Sequence, residues 1–158
     1  LDALFSLVEK FSESAGRFCV KNNLKIRFLG FEDGLSESLV QKIRTVEAET
    51  AGNSGMIFAI ALNYGATEEI VRAAQGAALS GNITKDSFEK HLLTKDLPPL
   101  DLMVRTGGEK RLSNFLLYQA AYAELEFVDT LWPDMTKGKI DKILADFEKR
   151  NRRFGNVE

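Results

Sequence analysis

Cysteine and histidine are almost missing from this chain. A single cysteine, Cys19, rules out an intramolecular disulfide framework and any cysteine-rich zinc site. A single histidine, His91, leaves too few ligands for a histidine-based zinc site. Nor is there an excess of basic charge: the formal net charge is −2, which argues against a nucleic-acid partner. No apolar run approaches the roughly 20 residues needed to span a bilayer, and no signal-peptide pattern is read in these residues. Scarce cysteine fits a reducing compartment. A cytoplasmic location is therefore expected, with peripheral contact at the inner membrane face left open because it needs only a surface patch. Internal repeats and low-complexity segments are absent too. So are a Walker A loop and a G-x-G-x-x-G turn, which removes support for those nucleotide sites.

What is present alternates between two periodicities. Leu1, Leu4, Phe5, Val8, Phe11, Ala15, Phe18 and Cys19 recur at helical spacing and predict an amphipathic helix. Residues 24–29 alternate apolar and charged, which predicts a half-exposed strand. Leu39, Val40, Ile43 and Val46 predict a second helix, broken by the Gly52-Asn-Ser-Gly55 segment. Met56 to Leu62 is a run of seven apolar residues and predicts a strand buried on both faces. A helix is expected from about Thr67, with Glu68 and Glu69 at its positive end and Ile70, Val71, Ala74 and Ala78 facing inward. Thr84 caps a short helix to about Leu93. Residues 102–104 form a third strand, Leu112 to about Tyr122 a helix, and residues 125–128 a fourth strand. Thr136 caps a last helix whose inner face carries Ile140, Ile143, Leu144 and Phe147. Such alternation predicts an α/β fold, a mainly parallel central sheet flanked by helices, with residues 1–158 in a single domain.

In open α/β sheets, ligands bind beyond the carboxyl ends of strands. Two segments stand there: Asn63-Tyr-Gly65, and the block from Arg105 to Asn114. The second brings Arg105, Lys110 and Arg111 within seven residues. Gly107 and Gly108 can turn backbone N–H groups toward a ligand. Ser113 and Asn114 stand where a helix is expected to begin, and a helix N-terminus attracts anions. Arginine forks pair with phosphate oxygens in a bidentate way. The block therefore reads as a phosphate or diphosphate site; a solvated charged loop capped at Ser113 is the plainer alternative. Glu124 and Glu126 follow, and a carboxylate beside a diphosphate can hold Mg²⁺. Glu126, alternating with Leu125 and Phe127 on a strand, reads as a surface carboxylate. Arg150, Arg152 and Arg153 read as cations favourable at a helix C-terminus. The apolar first helix is core packing or the wall of a hydrocarbon tunnel.

Residues Asp101 to Gln119, Ala121 to Glu124, Leu131-Trp-Pro-Asp134 and Arg152-Arg-Phe-Gly155 closely resemble the C-terminal signature of the cis-prenyltransferases, undecaprenyl diphosphate synthase among them. The likeness extends back through Ala51-Gly-Asn-Ser-Gly55 and Asn63-Tyr-Gly65 to the first helix. The resemblance implies an enzyme condensing isopentenyl diphosphate onto an allylic diphosphate such as farnesyl diphosphate, with each new double bond cis and Mg²⁺ required. It implies that Arg105, Arg111 and Ser113, with the backbone at Leu112, hold the isopentenyl diphosphate. Glu124 would ligate Mg²⁺. Arg153 and Gly155 would reach the same diphosphate across a homodimer, and the first helix and residues 56–62 would wall the tunnel. Lys110 stands where many bacterial members carry a histidine. The family's D-G-N-x-R-W segment, whose aspartate positions Mg²⁺ and whose backbone holds the allylic diphosphate, is not among these residues. The resemblance therefore covers the C-terminal two thirds of the family pattern and places no catalytic residue in this chain. Three outcomes are expected from that: an enzyme whose N-terminal segment lies outside this sequence, a non-catalytic partner subunit of a heteromeric enzyme, or a diphosphate-binding fragment inactive alone.

Overall fold

The computed structural model describes residues 16–150, and the chain divides into two compact units that meet at Tyr64 and Gly65. In the first unit, residues 16–21 are helical (α1), followed by β1 (Lys25–Leu29), α2 (Glu37–Thr50) and β2 (Ile57–Ala61). β1 and β2 pair in parallel, Lys25 opposite Ile57 through Leu29 opposite Ala61. A parallel pair needs a crossover, and α2 supplies it. Ser36 starts α2 by accepting a hydrogen bond from the Leu39 N–H. Two α2 side chains then serve the other edge of β1: the Ile26 N–H donates to Thr50 Oγ1 at 3.1 Å and the Phe28 N–H to Glu47 Oε1 at 2.8 Å. That closes the edge to further pairing.

Cys19, Ile26 and Val46 form the buried centre of this unit, with Leu24, Phe28 and Ile60 packed against it. Of the apolar positions expected on a first helix, Cys19 is buried and Phe18 is 60% exposed; Leu1 to Ala15 lie outside the described residues. Burial pushes the Cys19 thiol pKa up, and a buried neutral thiol is a poor nucleophile. Iodoacetamide is therefore expected to label Cys19 slowly in the folded protein and rapidly after denaturation, as mass spectrometry would record; equal rates would contradict the packing. β2 differs from expectation. Ile57 and Phe58 are 37% and 40% exposed, so this uniformly apolar strand is not covered on both faces by the described residues.

The second unit holds α3 (Ala66–Leu79), α4 (Lys85–Glu89), β3 (Leu102–Arg105), β4 (Glu124–Phe127) and α5 (Lys137–Glu148). β3 and β4 are again parallel, Leu102 opposite Glu124 through Arg105 opposite Phe127. Thr84 and Ser87 form a reciprocal capping box on α4, and Thr136 caps α5 through the Lys139 N–H. The buried face of α3 is Ala66, Glu69, Ala73 and Ala77; of the residues expected to face inward, Ile70 and Ala74 are half-buried while Val71 and Ala78 are exposed. Glu69 decides that rotation. Its carboxylate accepts from the Leu93 N–H at 2.8 Å and from Gln119 Nε2 at 3.0 Å, so the acid is buried with partners. On α5, Ile143 and Phe147 are half-buried while Ile140 and Leu144 stay exposed.

The expected helix from Leu112 to Tyr122 is absent. Only a 3₁₀ turn at Gln119–Tyr122 forms. Ser113, Asn114 and Leu116 adopt left-handed φ of 47°, 63° and 45°, which an α-helix of L-residues cannot contain. The crossover between β3 and β4 is thus mostly irregular chain, and it carries the arginine-rich block.

Candidate anion-binding site

β3 delivers Arg105 at its carboxyl end, and the chain then turns through Gly107 and Gly108, at φ 87° and 76°. Glycine is needed for that geometry. Its N–H groups, however, do not face a ligand: Gly107 donates to Thr130 O at 2.9 Å and Gly108 to Val128 O at 3.0 Å. The glycines tie the loop down against the segment leaving β4. The donors left over lie further on. Among the described residues, the backbone N–H groups of Glu109 to Asn114 meet no acceptor. A run of unpaired N–H groups with left-handed residues at both ends is the kind of backbone from which an anion-binding concavity can be built, and this loop is the candidate for one.

Arg105 organises this concavity. Its Nη1 donates to the Arg111 carbonyl and to Ser113 Oγ, the latter at 2.9 Å. Arg105, Arg111 and Ser113 are therefore brought together. Arg111 is exposed and paired with Glu109, while Lys110 is exposed and has no partner among the described residues. Leu112 is half-buried, its carbonyl accepting from the Phe115 N–H at 3.1 Å. Arg153 and Gly155 lie outside the described residues.

Ser113 and Asn114 do not open a helix of their own, as the sequence pattern predicted; Asn114 closes the start of α3. The Ala66 N–H donates to the Asn114 carbonyl at 2.9 Å and the Thr67 N–H to Asn114 Oδ1 at 2.8 Å. The second candidate segment is spent on structure. Asn63 Nδ2 donates to the carbonyls of Phe31 and Asp33 at 2.8 and 2.9 Å, binding the loop after β1 to the end of β2.

Glu124 opens β4, three residues back along the ladder from the level of Arg105, roughly 10 Å at the rise of a strand. Glu126 shares its face, since strand side chains repeat every two residues. Both carboxylates grip one guanidinium: Arg150 Nη1 lies 3.1 Å from Glu124 Oε2, and Nη2 pairs with Glu126. Those bonds, Glu126 first, push the Arg150 pKa up. Sequence reasoning gave Arg150 only a helix-end role and missed this partnership. No local pattern pointed to it, since the two acids lie 26 and 24 residues from Arg150. The set tolerates Mg²⁺ in its chemistry, because Glu124 is a hard oxygen donor and, among the described residues, its carboxylate pairs with Arg150 through Oε2 alone. Among the described residues no group of three or more metal-ligating side chains forms, so other ligands must come from phosphate oxygens, water or other residues.

Parallel strand pairs, each joined by a crossover, define an α/β protein, with an arginine-organised loop at the carboxyl end of β3. The comparisons with known proteins make that class specific. Residues 1–155 match the sequence model of the prenyltransferase family described as "Putative undecaprenyl diphosphate synthase", and the chain belongs to that family. It is 42% identical to the isoprenyl transferase of Treponema denticola over 98% of this chain and 69% of that protein. It is 38% identical to the ditrans,polycis-undecaprenyl-diphosphate synthase ((2E,6E)-farnesyl-diphosphate specific) of Haemophilus influenzae, over 100% of this chain and 70% of that one. The isoprenyl transferase of Neisseria gonorrhoeae, at 45% identity, is matched over 87% of this chain and only 56% of its own length. Among solved structures, a "probable undecaprenyl diphosphate synthase" from Campylobacter jejuni superposes with a TM-score of 0.89 at 35% identity, covering 98% of this chain and 74% of that one. The lavandulyl diphosphate synthase of Lavandula x intermedia, solved with dimethylallyl diphosphate, gives 0.91 at 32% identity over 98% and 71%.

Proposed function

We propose that this chain supplies the isopentenyl diphosphate half of a cis-prenyl elongation site, in a protein that lengthens an allylic diphosphate such as farnesyl diphosphate to a long-chain polyprenyl diphosphate of the undecaprenyl type. The observation that carries this reading is the Arg105 fork. It holds Arg111 and Ser113 around six backbone donors, at the carboxyl end of β3, that meet no acceptor among the described residues. Chemistry of this kind needs fixed cations where charge collects on a diphosphate and two reactants held in line. Arg105, Arg111, Ser113 and the backbone at Leu112 bind the diphosphate. Arg153 and Gly155 of a second copy complete the site in a homodimer. Residues 1–158 correspond to about two thirds of one such domain, in keeping with the 69% share of the Treponema relative. No helix among the described residues is long and apolar enough to cross a membrane; the reading is of a cytoplasmic enzyme releasing its product at the inner membrane face.

Mg²⁺, when bound, neutralises diphosphate charge, and Glu124 would be its ligand from this chain. Arg150 tempers that carboxylate. Removing Arg150 leaves Glu124 and Glu126 together with no shared cation, so Arg150→Ala is expected to bind Mn²⁺ alone several-fold more tightly, read from the spectrum of free Mn²⁺ in a titration without substrate. Unchanged or weaker binding would remove Glu124 from the metal site.

The activity is tested by incubating the protein with radiolabelled isopentenyl diphosphate, farnesyl diphosphate and Mg²⁺ and sizing the products. Chains extended by several five-carbon units are expected. Isopentenyl diphosphate binding without elongation, together with an obligatory different partner in a pull-down, would place the chain in a non-catalytic subunit instead.

A further inference from the structure

We propose that Asn114 is a positioning residue, fixing the anion-binding loop by acting as the N-cap of a helix that begins 48 residues earlier in the chain. The inference rests on reading the loop as a diphosphate site.

α3 starts with a deficit. Its own N-cap is Gly65, which has no side chain and makes no capping bond. The first N–H groups of a helix have no partner within it. At α3, Asn114 takes the next-neighbour's place: its carbonyl accepts from Ala66 and its Oδ1 from Thr67, at 2.9 and 2.8 Å. An N-cap asparagine does the same from within the chain. Glycine at position 65 is what admits it. A Cβ there would stand 2.9 Å from Asn114 Nδ2.

The consequence reaches the site through one neighbour. Asn114 and Ser113 are both left-handed, at φ 63° and 47°, a conformation asparagine tolerates better than most residues. With Asn114 pinned to α3, Ser113 is held so that its Oγ meets Arg105 Nη1 at 2.9 Å. The other end of the loop is tied by Gly107 and Gly108 to the segment after β4. The free donors of residues 109–114 are thus suspended between two anchors, and a loop ordered in advance loses less freedom when its ligand arrives.

A purely structural role for Asn114 would act through the helix alone, and a double variant separates the two. Asn114→Gly keeps the left-handed backbone and the carbonyl but loses the Oδ1 cap; it is expected to weaken calorimetric binding of isopentenyl diphosphate about tenfold through lost pre-organisation and to lower the melting temperature. Adding Gly65→Ser gives α3 a cap of its own, in space that the smaller residue 114 has vacated. The double variant is expected to regain melting temperature while binding stays weak. Binding that recovers with stability, or that never fell in Asn114→Gly, overturns the inference. Arg105→Ala, run alongside, tells the two failures apart. If it abolishes binding while Asn114→Gly does not, only the positioning role is lost; if it too leaves binding intact, the diphosphate site itself is misplaced.

Discussion

Arg105→Ala is expected to lose most of the affinity for isopentenyl diphosphate, because Arg105 serves the site twice. It offers a charged fork to the ligand, and it holds the Arg111 carbonyl and Ser113 Oγ in place. A hydrogen bond to a charged group contributes about 1.5–3 kcal/mol, which is roughly a 10- to 150-fold change for each one lost. Half-buried Arg105 sits near the upper end of that range. Arg105→Lys keeps a charge but not the planar fork, so it should recover little. Arg111→Ala is expected to cost less directly, since Arg111 is exposed and partly neutralised by Glu109. Its removal also leaves the Glu109 carboxylate facing the ligand with no partner. Adding Glu109→Ala should therefore restore part of the loss in Arg111→Ala and none of the loss in Arg105→Ala. Isothermal titration gives the affinities of the five variants and of the unaltered protein, and equal binding by Arg105→Ala and the unaltered protein would end the site assignment.

How far this could be seen from the sequence depended on whether each side chain's partner was near in the chain. The strand at residues 25–29 and the caps at Thr84 and Thr136 are local matters, written in alternation and in a hydroxyl a few residues before its N–H partner. The grouping of Arg105, Arg111 and Ser113 was legible for the same reason, its members lying within nine residues of one another. What stayed hidden was settled at a distance. Leu112 to Tyr122 has helical composition, but Asn114 is committed to the Thr67 N–H, 47 residues away, and the left-handed residues around it exclude a helix. Arg150 looked like a helix-end cation until Glu124 and Glu126, 26 and 24 residues away, claimed both arms of its fork. The Gly107 and Gly108 donors looked free for a ligand because the carbonyls they meet belong to Thr130 and Val128. The face that α3 turns inward centres on Glu69, because a carboxylate met by two donors from distant residues can be buried, and Val71 is then left exposed with Ile70 half-buried.

That burial carries the largest expected change in stability. Glu69→Ala removes the acceptor from the Leu93 N–H and from Gln119 Nε2 at once, and each buried group left unsatisfied costs about 1–3 kcal/mol. Gln119 has little to fall back on: Thr94 Oγ1 still accepts from its Nε2 at 2.9 Å, but its Oε1 is already buried with no partner among the described residues. A combined loss of about 2–5 kcal/mol, before any cavity is counted, is a large part of the roughly 5–15 kcal/mol that holds an ordinary domain together. At about 2–4 °C per kcal/mol for a protein of this size, the melting temperature should fall by about 5–20 °C. Glu68 is the control that separates burial from charge. It is the adjacent acid on the same helix turn, ion-paired to Arg72 at 2.7 Å with both side chains about half exposed, and an exposed pair at i, i+4 contributes only about 0.3–0.5 kcal/mol. Glu68→Ala should shift the transition by a degree or two. Glu69→Gln should fall between, since its Oε1 still accepts from Leu93, and rotation of the Gln119 amide would turn the unpartnered Oε1 toward the new donor at the cost of stranding Nε2 instead. Equal melting temperatures for Glu68→Ala and Glu69→Ala would show that the buried acid contributes nothing beyond its place on the first turn of α3.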